Sequence, residues 1–176
     1  MATGYILLFP GGTAPDGTGS VNNTSALSYE VSTGTQTTNT PKRSILKLLF
    51  DGTTDEHWLF SLLNPGDYAS GGTLRGKVKF TSATSGTAIM KGGQVSTIDS
   101  STDDDAAVYA AADLSASITA PGTQGQTVEF SIALTTTNML ANRHISLFIG
   151  RDPDHASDTI TTDLELIDLN FEYVTA

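Results

Sequence analysis

Val128, Phe130, Ile132 and Leu134 alternate without a break with Thr127, Glu129, Ser131 and Ala133. A period of two buries one face of a strand and leaves the other wet. The same period recurs along the chain. Trp58, Phe60 and Leu62 alternate with Leu59 and Ser61. Leu74, Val78 and Phe80 share a face opposite Arg75, Lys77 and Lys79, and Ile145, Leu147 and Ile149 form a further strand. Eight to ten strands are expected, with turn signals about every 8–14 residues. No 10–15-residue helical pattern separates them, which excludes βαβ units. Composition agrees: about a quarter of the 176 residues are Ser or Thr, 17 are Gly, and only 16% are charged. The expected fold is all-β: an antiparallel two-sheet sandwich, a jelly roll, with an extended N-terminal arm.

Local signals refine that expectation. Asp51-Gly52, Asn64-Pro65-Gly66-Asp67 and Ser70-Gly71-Gly72 read as turns. Gly92-Gly93 suggests a bulge or bend. Ala106 to Ala112 is the one segment with good helical propensity. In the last strand Leu164 and Leu166 share one parity, and Ile167, Leu169, Phe171 and Tyr173 the other. Such a switch means a β-bulge or a strand passing from one sheet to another. The first forty residues carry only Asp16 and Glu30 as charges; residues 1–43 read as an arm with edge strands, and residues 44–176 as the sandwich domain.

Charge and motif content exclude several functions. A net charge of −10 argues against a nucleic-acid binder relying on phosphate contacts. No apolar run approaches the roughly 18 residues of a membrane span. Tyr5–Phe9 is short and lacks a basic leader, so no signal peptide is expected. Without Cys there is neither a disulfide framework nor a thiolate site. His57, His144 and His155 are far apart and show no metal-ligand spacing. The aspartates around 103–105 and at 152, 154 and 158 lack the calcium-loop pattern and read as solvated loops. No nucleophile elbow or phosphate loop occurs. The expectation is a chain with no enzymatic activity, no metal and no cofactor.

A series of short signals carries a resemblance. Trp58-Leu59-Phe60-Ser61-Leu62 runs through Pro65 and Tyr68 to Ser70-Gly71-Gly72-Thr73-Leu74, and Thr84-Ser85-Gly86 follows. Later, Arg151-Asp152 follows the strand Ile145–Ile149, and Phe171 and Tyr173 end the last strand. Pro15-Asp16-Gly17 with Asn22-Asn23 precedes them all. In this order the chain resembles the small jelly-roll virion proteins of tailed bacteriophages. The resemblance implies a protein made in the bacterial host cytoplasm and carried on the virion surface. It also implies a homotrimer that binds the major capsid protein lattice as a decoration (cement) protein, or a head or tail fibre component. Tyr5, Leu7 and Phe9, an apolar patch beside a polar stretch, are the expected capsid contacts. The alternative is a receptor-binding or carbohydrate-binding module, with Tyr68 and Tyr109 as loop aromatics against the glycan.

Overall fold

The computed structural model describes residues 2–8, 23–24, 26–31, 44–83, 85–97, 103 and 106–176, with residues 23–24, 26–31 and 44 described by their backbone. Thirteen strands are present among them: β1 Thr3–Leu7, β2 Asn23–Thr24, β3 Ala26–Val31, β4 Ser44–Phe50, β5 Glu56–Leu63, β6 Tyr68–Phe80 and β7 Thr87–Ala88. After these come β8 Met90–Ser96, β9 Asp113–Leu114, β10 Ile118–Thr119, β11 Thr127–Ala133, β12 His144–Arg151 and β13 Leu164–Thr175. They build a two-sheet sandwich of the jelly-roll type. The first sheet runs β11-β6-β13-β4-β3, with β1 also paired to β13. The second runs β2-β5-β12-β8-β9, and β7 with β10 forms a small ribbon. The long strands β4, β5, β6, β8, β11, β12 and β13 alternate between the two sheets in chain order. Pairing is antiparallel throughout except between β2 and β5.

The inward residues follow the sequence parity. Trp58 and Phe60 from β5, Leu74, Val78 and Phe80 from β6, and Ile145, Leu147 and Ile149 from β12 all join one core. Each fully buried side chain of this kind contributes roughly 1.5–3 kcal/mol. The parity switch in β13 is a bulge. Leu166 faces Val78 and Asp168 faces Lys77, so Ile167 is the extra residue, and Leu164, Leu166, Leu169, Phe171 and Tyr173 all reach the same core.

Three local readings change. Ser70-Gly71-Gly72 is no turn: β6 runs through it with a second bulge, and Gly71 supplies the φ of +72° there. Gly92 and Gly93 pair with Ile149 and Phe148 in an unbroken ladder, so they mark no bulge. They are needed for space: a Cβ on Gly92 would lie 2.8 Å from Leu74 in the core, and one on Gly93 2.5 Å from the Phe148 ring outside. Residues 106–112 are not helical beyond a single 3₁₀ position at Ala106, and Tyr109 within them packs edge-to-face on Phe148.

β12 ends in the largest fully buried side chain of the described residues, Arg151. Its guanidinium donates twice to Asp158, at 3.0 and 2.8 Å, and also to the carbonyls of Asp51, Ile160 and Thr162. Asp158 is therefore not the solvated aspartate expected from sequence. Its side chain is 1% exposed, held by a bidentate pair that fastens the 152–162 loop to the end of β12.

Candidate functional site

The ladder registers place the outward residues of the second sheet in rows. His57 on β5, Gly150 on β12 and Lys91 on β8 make one row. Leu59, Phe148 and Gly93 make the next, and Ser61, Ser146 and Val95 the third. Glycine sits at the centre of the first row and at the β8 edge of the second. A Cβ on Gly93 would meet the Phe148 ring at 2.5 Å, and one on Gly150 the Glu56 carbonyl at 2.6 Å and His57 at 3.1 Å, so the glycines let Phe148 and His57 lie close against the sheet. Beside these rings is an open hollow of about 350 Å³ lined by His57, Leu59, Lys91, Tyr109 and Phe148. Ala110 and Ala112 complete its wall.

The aromatic groups are fixed by one another. Tyr109 meets Phe148 edge-to-face, with centroids 5.0 Å apart at 81°, and His57 meets it at 6.3 Å and 74°. Both are preferred aromatic geometries. The strand after Tyr109 is tied down in turn: Asp113 pairs with Gly92, and its carboxylate accepts from the amide (2.6 Å) and hydroxyl (3.0 Å) of Thr135. Lys91 forms an ion pair with Asp55, which immediately precedes β5. Since β12 lies between β8 and β5, this bridge crosses over β12 in the row of Gly150, where no side chain obstructs it.

Below the hollow, Glu56 accepts from the Asp51 amide at 2.8 Å. Burial raises the Glu56 pKa above its ordinary value, and the nearby negative charges of Asp51 and Asp163 add to that. Asp51 is shifted the other way, chiefly by the hydrogen bonds it accepts from the backbone and hydroxyl of Thr53. Among the described residues no group of three or more potential metal ligands is gathered. His57 and His144 occupy different rows of the outer face, and His155 lies in the 152–162 loop.

The residues singled out from sequence separate. Tyr109 lines the hollow. Tyr68 does not. It is 7% exposed, packs on Tyr173 at 6.0 Å, and belongs to the core, so it presents no ring to a ligand. Tyr5 and Leu7 project from β1 with 73% and 45% exposure, and β1 is hydrogen-bonded to β13 from Thr3–Val174 to Leu7–Asn170. Phe9 lies outside the described residues. Phe148, Gly93 and Gly150 were not among the sequence candidates. One signal for Phe148 existed, an aromatic on the parity opposite to Ile145, Leu147 and Ile149.

No family model and no curated protein matches the chain. Among solved structures it is similar to CBM27-1 of Caldicellulosiruptor saccharolyticus in complex with mannohexaose. There the TM-score is 0.41 at 9% identity, over 95% of this chain and 96% of that one. It is similar also to the family 11 carbohydrate-binding module from Clostridium thermocellum in complex with a β-1,3-1,4-mixed-linked tetrasaccharide. The TM-score is 0.40 at 12% identity, over 97% and 96% of the two chains. A third similarity is to the Clostridium thermocellum xylanase 10B CBM22-1–GH10 modules complexed with xylohexaose. Its TM-score is 0.39 at 17% identity, over 85% of this chain and 24% of that one. Likenesses of this size assign no ligand to the chain.

Proposed function

We propose that the chain is a non-catalytic carbohydrate-binding module that seats a sugar ring in the hollow on the outer face of the second sheet. The observation that carries this reading is the composition of the hollow. It joins the rings of Phe148 and Tyr109 to a charged donor in the lining, Lys91, whose ion-pair partner is Asp55. A pyranose has the same division, with apolar C–H faces and a hydroxylated rim. A small-ligand site of about 300–1,000 Å³ with an apolar lining and few convergent polar groups has this form. The test is a two-dimensional NMR titration of the labelled protein with oligosaccharides. The reading expects shifts confined to the amides of residues 57–59, 91–93, 109–112 and 148–150. It fails if no sugar moves them at millimolar concentration.

A second reading, a virion decoration protein or fibre component that forms a homotrimer and binds the major capsid lattice, is supported by one observation. Tyr5 and Leu7 stand exposed on a strand, Thr3–Leu7, that carries no charge. Uncharged edge strands invite pairing with another chain. This reading expects trimers by sedimentation and saturable binding to assembled capsids that Tyr5→Asp with Leu7→Asp abolishes. A monomer with no capsid affinity would remove it.

A further inference from the structure

We infer that Asp113, which stands outside the lining of the hollow, is the residue that positions its Tyr109 wall, a role that rests on the carbohydrate reading. His57, Leu59, Lys91 and Phe148 stand on the ladders of β5, β8 and β12, whose pairing fixes their backbones. Tyr109, Ala110 and Ala112 do not. They belong to residues 107–112, which form no strand. The first ladder residue after them is Asp113, opposite Gly92. Four residues of chain span at most roughly 14 Å, so the place of Asp113 limits where Tyr109 can stand.

Hydrogen bonds hold Asp113 in a closed circuit. Its backbone pairs with Gly92, and its carboxylate accepts from the amide of Thr135 at 2.6 Å and from the Thr135 hydroxyl at 3.0 Å. The carbonyls of Thr135 and Thr137 each accept from Gln94 Nε2 at 3.0 Å. Gln94 is buried on β8, two residues beyond Gly92. The circuit from Gly92 through Asp113 and Thr135 to Gln94 thus begins and ends on the strand that carries Lys91 and Gly93. Ser115 adds a further tie: its amide donates to the Met90 carbonyl at 2.9 Å, and its hydroxyl accepts from the Met90 amide at 3.0 Å. Bonds to an ionised acceptor are the stronger kind, and here one carboxylate takes two. A wall held in place before the ligand arrives loses less freedom on binding. Alanine at position 113 keeps the ladder pairing and opens the circuit at Thr135.

The experiment is a double-mutant cycle in the full chain, Asp113→Ala with Tyr109→Ala. It is read by calorimetry with mannohexaose and xylohexaose, and by the Tyr109 ring resonances of the sugar-free protein. Asp113→Ala should weaken binding roughly three- to tenfold, up to the loss in Tyr109→Ala, and the double variant should bind no more weakly than Tyr109→Ala alone. In Asp113→Ala the Tyr109 ring resonances should move towards those of an unpacked tyrosine. Asp113→Asn, which keeps an oxygen for the Thr135 amide, should restore both readouts. A lowered melting temperature in Asp113→Ala, with affinity and ring resonances as in wild type, makes the residue structural only and overturns the inference. Additive losses in the cycle overturn it too, since Asp113 would then act by a route other than Tyr109. If Asp113→Ala does not fold, Thr135→Val takes its place: it removes the hydroxyl bond alone and should move both readouts the same way by less. Silence of the wild type to both sugars defeats the carbohydrate reading, and the ring resonances then decide on their own whether Asp113 places Tyr109.

Discussion

The two sheets carry opposite kinds of outer face. On the first, charges answer one another across the strands: Lys47 and Lys79 flank Glu165, Lys77 meets Glu129 at 3.4 Å, and Arg75 meets Glu172 at 2.9 Å. The basic stripe of β6, read alone, looks like a surface for an acidic partner. In place, each of its cations has a carboxylate on β11 or β13. On the second sheet, glycines at positions 93 and 150 let Phe148 and His57 lie close against the strands, and an open hollow is bordered by Phe148, Tyr109 and His57. A row of paired long side chains fills and neutralises a sheet face. A row with glycine in it lets aromatic rings lie across the sheet, and the relief beside those rings is what a ligand can enter.

The hardest break of this comparison is at Arg151, which anchors the strand under the hollow. Arg151→Met leaves the Asp158 carboxylate buried without its partner and should cost about 3–5 kcal/mol by chemical denaturation. Lys77→Ala on the other face removes an exposed pair and should cost no more than about 1 kcal/mol. Equal losses would mean that the buried guanidinium is not what fastens the 152–162 loop.

Next in size is the hollow itself. Tyr109→Ala should weaken oligosaccharide binding roughly three- to tenfold, the worth of one aromatic contact, with little change in melting temperature. Gly93→Ala sharpens the same point without replacing an aromatic residue. The added methyl must displace the Phe148 ring, so binding should fall and the ring resonances of Phe148 and Tyr109 should shift. The corresponding change on the first sheet, Arg75→Ala, should leave binding as it was.

The smallest effect concerns pH. Glu56 has a raised pKa in the folded chain, chiefly from burial. Its contribution is fully present below the unfolded value of 4.5 and is lost as pH rises through the folded one, because the unfolded chain ionises first. Asp51 runs oppositely: its stabilisation is present above 3.8 and lost as pH falls through its lowered folded value. Glu56→Gln keeps an acceptor for the Asp51 amide and removes a charge facing Asp51 and Asp163. It should be slightly more stable than wild type at pH 7, with the gap closing below pH 4.5. A gap that widened on acidification would reverse the assignment.

The strands were legible because period-two patterning is a local property. β5, β11 and β12 could be read from their own residues, and the Ile167 bulge from a change of parity. What stayed hidden depends on partners distant in sequence. Nothing near Gly93 shows that Phe148 will lie over it, and nothing near Lys77 shows that Glu129 will face it. Ser70-Gly71-Gly72 misled because the same residues serve a turn and a bulge, and only the continued pairing with β13 decides between them. Tyr68 and Tyr109 looked equivalent as loop aromatics. The difference between them is burial, set by Tyr173 in one case and by Phe148 in the other.

The central claim is that ligand recognition belongs to the relief of the second sheet and not to the charges of the first. An NMR titration with mannohexaose and xylohexaose, observing both faces at once, tests it most directly. The account predicts saturable shifts at Leu59, Lys91, Gly93, Tyr109 and Phe148 with Arg75, Lys77 and Glu129 unmoved. Shifts centred on Arg75, Lys77 and Glu129, with the hollow silent, would contradict it.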